Sequence, residues 1–92
     1  MGHTIREKTK LLNRVRRIRG QVEAIERALE GGNDCAQVLQ LIASTRGAIN
    51  GLMAEVLEDH VREHVAAPNG ISDVERAKGA NELVDVIRAY FK

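Results

Sequence analysis

Two apolar series with the same spacing constrain this chain more than any other feature. Leu11, Val15, Ile18, Val22, Ile25 and Leu29 follow one another at intervals of four and three residues, and Val38, Ile42, Thr45, Ile49, Leu52 and Val56 repeat that pattern. A strand would alternate every second residue, whereas a 4-3 alternation draws a heptad seam along a helix that packs against other helices. Two seamed helices joined by a tight turn make an α-hairpin, and two hairpins make a four-helix bundle. The chain has 92 residues, with Tyr90 and Phe91 as its aromatics and no Trp. So short a chain with an aliphatic core gains stability by associating with copies of itself. The expectation is an all-α protein: one domain over residues 1–92, a long helical hairpin plus a short C-terminal helix, paired as an antiparallel four-helix-bundle dimer.

Three capping-box patterns predict where the helices start: Thr4-x-x-Glu7, Asp34-x-x-Gln37 and Ser72-x-x-Glu75. Gly31-Gly32 stops the first helix, and Pro68-Asn69-Gly70 separates the second from the third. Helices are therefore predicted at about 5–30, 35–66 and 73–91, the last interrupted by Gly79. On the second helix Ser44, Gly47, Ala48 and Gly51 form a small-residue strip opposite the seam, where another helix can come close.

Cys35, His60 and His64 carry the strongest chemical signal. A step of about 100° per residue puts all three within roughly 40° of one line on the second helix. Twenty-five residues nevertheless separate Cys35 from His60, about 37 Å at 1.5 Å per residue. A shared site must then take Cys35 from a second copy running antiparallel, with a two-fold axis near Gly47–Ala48. Histidines at i and i+4 reach one ion, but the same spacing also arises on solvated faces. Cys35 tips the reading, because it follows the Asp34 cap at a helix start, where the dipole favours a thiolate ligand. The competing view treats that cysteine as a small apolar residue. His3 taken alone reads as a tag-like surface residue; counted with a free α-amine at Gly2, after removal of Met1, it would bring the donors to five or six. Mixed nitrogen and sulfur ligation of high number suits Ni(II) or Co(II), a single thiolate disfavours Cu(I), and Cys-His-His also fits tetrahedral Zn(II).

The net charge of +1 conceals a basic block: Arg6, Lys8, Lys10, Arg14, Arg16, Arg17 and Arg19 stand against Glu7 alone. Cations on both shoulders of the first seam, with Arg46 on the second helix, suit the DNA backbone, where each neutralised phosphate adds through counterion release. The alternative is a solvated helix face. No helix-turn-helix, zinc finger or aromatic RNA-binding strip is evident. One unpaired cysteine, no apolar run of about 20 residues and a polar Met1–Lys10 point to the cytoplasm and away from a membrane. A thiol enzyme built on Cys35 and His60 is disfavoured, since neither an oxyanion loop nor a substrate pocket can be read in the chain.

The runs Arg14-Val-Arg-Arg-Ile-Arg-Gly-Gln21, Cys35 and Arg46-Gly-Ala-Ile-Asn-Gly-Leu-Met53, followed by Glu55-Val and His60, resemble the CsoR/RcnR/FrmR family of small repressors. The resemblance covers about His3 to His64. It implies all-helical dimers that pair into tetramers, bind double-stranded operator DNA, and release it when a metal or an aldehyde occupies the site. It also implies that Cys35 meets His60 and His64 across the dimer, that His3 is an N-terminal ligand, and that Arg14, Arg17 and Arg46 contact DNA, beside Lys10 and Arg16 of the basic block. Gly2-His3-Thr4-Ile5-Arg6 together with His64 is most similar to the nickel/cobalt branch, whose members would derepress metal efflux. Copper members carry a second cysteine where His64 stands here. Formaldehyde members typically have Pro in place of Gly2 and lack His64, but share the Arg14–Gln21 run. A formaldehyde-responsive repressor using Cys35 and the N-terminal amine is therefore the alternative.

Overall fold

The computed structural model describes residues 7–66 and 70–90. Three helices follow in order, α1 (Lys8–Glu30), α2 (Cys35–His64) and α3 (Asp73–Tyr90), and no strand occurs among the described residues. The all-helical expectation holds. The chain forms two compact units, Glu7–Met53 and a second one running from Ala54 onward.

In the first unit α1 and the first part of α2 form the predicted hairpin. Gln21 Nε2 donates to Ser44 Oγ at 3.4 Å, and the Arg14 guanidinium lies over Gly51, where an added Cβ would sit 2.9 Å from it. From the Arg14 contact to the Gln21 contact, seven steps forward on α1 match seven steps back on α2, which fixes an antiparallel register. The small-residue strip thus receives polar side chains of α1 at Ser44 and Gly51, not the backbone of another helix, and nothing lies within 4 Å of a Cβ at Gly47.

Each heptad seam divides in two. Leu11, Ile18 and Ile25 on α1, with Val38, Thr45 and Leu52 on α2, are buried or half-buried. Val15, Val22, Leu29, Ile42, Ile49 and Val56 stay exposed. The buried hydrophobic side chains among the described residues are Leu11 and Ala28, and the buried Thr45 satisfies its hydroxyl by donating to Leu41 O at 2.8 Å. One chain therefore covers half of the surface that its sequence sets aside for helix packing. Those side chains are 36–63% exposed, so covering the rest of each recovers roughly half of the about 1.5–3 kcal/mol that full burial contributes.

The helix ends show how local chemistry sets boundaries. The expected Thr4 start lies outside the described residues. Glu7 occupies the N-cap of α1 without a side-chain cap hydrogen bond, its carboxylate lying 3.9 Å from Lys10 Nζ, so α1 begins at Lys8. At the other end Gly32 N–H donates to Leu29 O and Asn33 N–H to Ala28 O, the two bonds of a Schellman stop. Gly32 takes φ +71° there, a conformation glycine adopts without strain. Asp34 Oδ1 accepts the Gln37 amide at 2.8 Å and opens α2 as predicted. That helix closes at His64, two residues early, because Ala66 N–H reaches back five residues to Val61 O at 2.7 Å and widens the last turn. Of the expected break, Pro68 and Asn69 lie outside the described residues, and Gly70 has φ +88°.

The third capping box is complete. Ser72 N–H donates to Glu75 Oε1 at 3.0 Å, and Glu75 N–H donates to Ser72 Oγ at 3.1 Å. The Ser72 backbone N–H, and next its side chain, hold the Glu75 carboxyl below the ordinary carboxylate value. The predicted interruption at Gly79 does not occur, since α3 runs unbroken through it. Gly79 is instead buried where α3 meets the last turn of α2. A Cβ there would collide with the His64 carbonyl oxygen and lie 2.8 Å from His64 C and Cβ.

Candidate functional site

Helical spacing brings His60 and His64 onto one face at the end of α2, their ring centroids 4.9 Å apart and tilted by 37°. Against them packs α3. His60 Nε2 lies 2.9 Å from Gly79 O and 3.8 Å from Glu82 Oε1. A carbonyl oxygen only accepts, so Nε2 must carry the hydrogen and donate it. The lone pair left on the neutral imidazole is then on Nδ1. An open cleft of about 390 Å³ lies here, lined by His60, His64, Glu75, Lys78, Gly79 and Glu82.

Cys35 is exposed and opens α2, directly after the Asp34 cap, whereas the two histidines close that helix. One chain does not bring the three together. Among the described residues no three His, Cys, Asp or Glu side chains form a group able to hold an ion. His3 lies outside the described residues. The predicted cations of α1 are Lys10, Arg16 and Arg17, all exposed, and Arg14, half-buried over Gly51; Arg46 is exposed on α2. Arg16 also donates to Asn13 Oδ1 at 3.1 Å.

The contribution of α3 is not legible in the sequence, where Gly79 reads as an interruption and Glu75 as the capping-box partner of Ser72. Gly79 itself was the available signal. A glycine inside a helix costs about 1 kcal/mol relative to alanine and, when retained, commonly marks a close approach.

The family model described as metal-sensitive transcriptional repressor matches residues 7–89. The chain belongs to that family. It is therefore a transcriptional repressor protein and not an enzyme. Among its relatives is the transcriptional repressor RcnR of Citrobacter koseri, 42% identical over 92 residues and the full length of both chains. An uncharacterized protein in the bioA 5′ region of Serratia marcescens is 56% identical, again over the full length of both. A Glu-to-His variant of the formaldehyde-responsive regulator FrmR from Salmonella enterica serovar Typhimurium has a solved structure with 48% identity and a TM-score of 0.85. That match covers 96% of this chain and 98% of the other. Among the described residues of this metal-sensitive repressor, no helix is long and apolar enough to cross a membrane.

Proposed function

We propose that this chain acts over residues 1–92 as one Ni(II)/Co(II)-responsive repressor domain, in the cytoplasm, that binds double-stranded operator DNA and leaves it when metal binds, derepressing metal efflux. The observation that carries the reading is the His60–His64 pair, 4.9 Å apart and held by α3, in a member of a metal-sensitive family. The donor set fits such an ion. His60 offers Nδ1, His64 lies beside it, and Cys35 adds a thiol from the helix start of an antiparallel second copy. His3 and the N-terminal amine raise the coordination number, as Ni(II) and Co(II) prefer, while Zn(II) is served by Cys35, His60 and His64 alone.

The exposed half of each seam supports an assembly of copies, first a dimer and then a tetramer. Lys10, Arg14, Arg16, Arg17 and Arg46 supply the cations for phosphates. Release requires the effector to bind the DNA-free arrangement more tightly than the DNA-bound one. A 100-fold loss of operator affinity corresponds to a difference of about 2.7 kcal/mol. Tying Cys35 of one subunit to the end of α2 in another is a contact that one quaternary arrangement satisfies and another does not. The test is an operator mobility shift titrated in parallel with Ni(II), Co(II), Zn(II), Cu(I) and formaldehyde. Release at the lowest concentration by Ni(II) or Co(II) supports the reading; indifference to both overturns it.

A second reading follows from the 48% identity to a protein named formaldehyde-responsive. In that case the Cys35 thiolate attacks formaldehyde, and the N-terminal amine displaces water to leave a sulfur–methylene–nitrogen bridge. Intact mass would rise by about 12 Da per bridge, the aldehyde gained less the water lost.

A further inference from the structure

The seat of α3 on the last turn of α2 depends on one absent side chain. Gly79 is buried, its Cα pressed against the His64 backbone, and a Cβ there would overlap the His64 carbonyl oxygen. Among the described residues this is the tightest glycine position: at Gly20, Gly32, Gly47 and Gly70 nothing lies within 4 Å of an added Cβ, and at Gly31 the nearest atom, Arg27 O, is 3.2 Å away. At Gly51 the neighbour is the flexible end of Arg14, which can swing away. At Gly79 the neighbour is backbone of the helix that carries both histidines, and it cannot.

The same residue supplies the carbonyl that takes the His60 Nε2 hydrogen at 2.9 Å. Ordinary N–H···O hydrogen bonds span about 2.7–3.2 Å, and clearing an outright overlap with the His64 carbonyl oxygen would carry this one outside that range. His60 would then lose the partner that fixes which nitrogen faces outward. Glu82, 3.8 Å from the same nitrogen, is too distant to replace that bond without moving.

We infer that Gly79 is a positioning residue for the effector site: its missing side chain lets α3 close on His64, so that its carbonyl holds His60 with Nε2 protonated and Nδ1 presented. The inference rests on the metal-responsive reading for its consequence, but its structural core is tested without metal. A merely local role for Gly79 leads elsewhere, because alanine is the better helix former and would strengthen α3 on its own.

The experiment uses full-length metal-free protein labelled with ¹⁵N at histidine. The wild type is expected to show His60 protonated at Nε2, and Gly79→Ala to show a mixture of the two tautomers. Ala77→Gly, an exposed change two residues away, weakens α3 intrinsically and is expected to leave the tautomer intact. In operator shifts, Gly79→Ala should bind DNA within about twofold of wild type yet need at least about tenfold more Ni(II) for release, the usual penalty when a metal-binding histidine loses the hydrogen-bond acceptor on its other ring nitrogen. A wild-type His60 protonated at Nδ1 overturns the inference, as does a Gly79→Ala variant with unchanged tautomer and nickel midpoint. If Gly79→Ala fails to fold, the wild-type tautomer and the Ala77→Gly control decide the matter alone. A wild type with the expected tautomer but no response to nickel refutes the metal reading and leaves the seat of His60 standing.

Discussion

Replacing Gly79 with alanine sets two effects of opposite sign against each other, and the structure says which wins. Intrinsic propensity favours alanine in a helix interior by about 1 kcal/mol. Against that stands an overlap with the His64 backbone, where inserting a methyl group into a packed contact typically costs about 1–3 kcal/mol. Moving α3 away also breaks the bond from His60 to Gly79 O, a further 0.5–1.5 kcal/mol or so, reduced because the His60 side chain remains 24% exposed to water. The balance is a net loss of roughly 1–3 kcal/mol, or at least about 4–8 °C in Tm for a chain of this size. Thermal unfolding followed by far-ultraviolet circular dichroism, at one fixed protein concentration, measures it, since association would otherwise shift the midpoint. A Tm equal to or above wild type would refute the close approach.

Three further outcomes are expected. Gly32→Ala should destabilise by about 1 kcal/mol, because position 32 holds φ +71° in the stop of α1; an unchanged denaturant midpoint would contradict this. The lowered pKa of Glu75 means its charged form stabilises the fold above the ordinary carboxylate range, and that this contribution fades as pH falls through the lowered value. The Tm gap between wild type and Glu75→Gln should therefore be constant near neutrality and close in acid; a gap that widens in acid would be the wrong sign. Arg17→Ala should weaken operator binding and flatten its salt dependence by about one unit of slope for each Arg17 that contacts a phosphate, whereas an unaltered slope would remove Arg17 from the interface. Arg17 is the cleaner choice because Arg14 also lies over Gly51 and its loss would disturb the hairpin.

Helix class and order were legible because they depend on local pattern. The 4-3 spacing, the Asp34 and Ser72 caps and the Gly31-Gly32 stop each act within a few residues. The division of each seam was not, since Ile18 and Val22 are equivalent as residue types and differ only in which helix faces them. The role of Gly79 was hidden for a related reason: a glycine that breaks a helix and one that lets another helix approach look alike in sequence. The small strip of α2 marked the side that α1 packs on, but not that side chains, Gln21 at Ser44 and Arg14 at Gly51, would make the contact there. The His60–His64 face followed directly from i, i+4 geometry, while the acceptor at Gly79, nineteen residues on from His60, did not.

Mixing two defective variants tests most directly whether sulfur and imidazoles meet between subunits. Cys35→Ala and His64→Ala should each bind nickel poorly alone. After the pair is unfolded and refolded together, random pairing makes half the dimers mixed, and each mixed dimer rebuilds one of its two sites, about a quarter of the wild-type number. Recovery of that fraction of tight nickel binding, with its thiolate-to-metal charge-transfer absorption, is the predicted result. If the mixture binds no more nickel than the separate variants, while refolded wild type regains full binding, then Cys35 and His64 do not share an ion across the dimer.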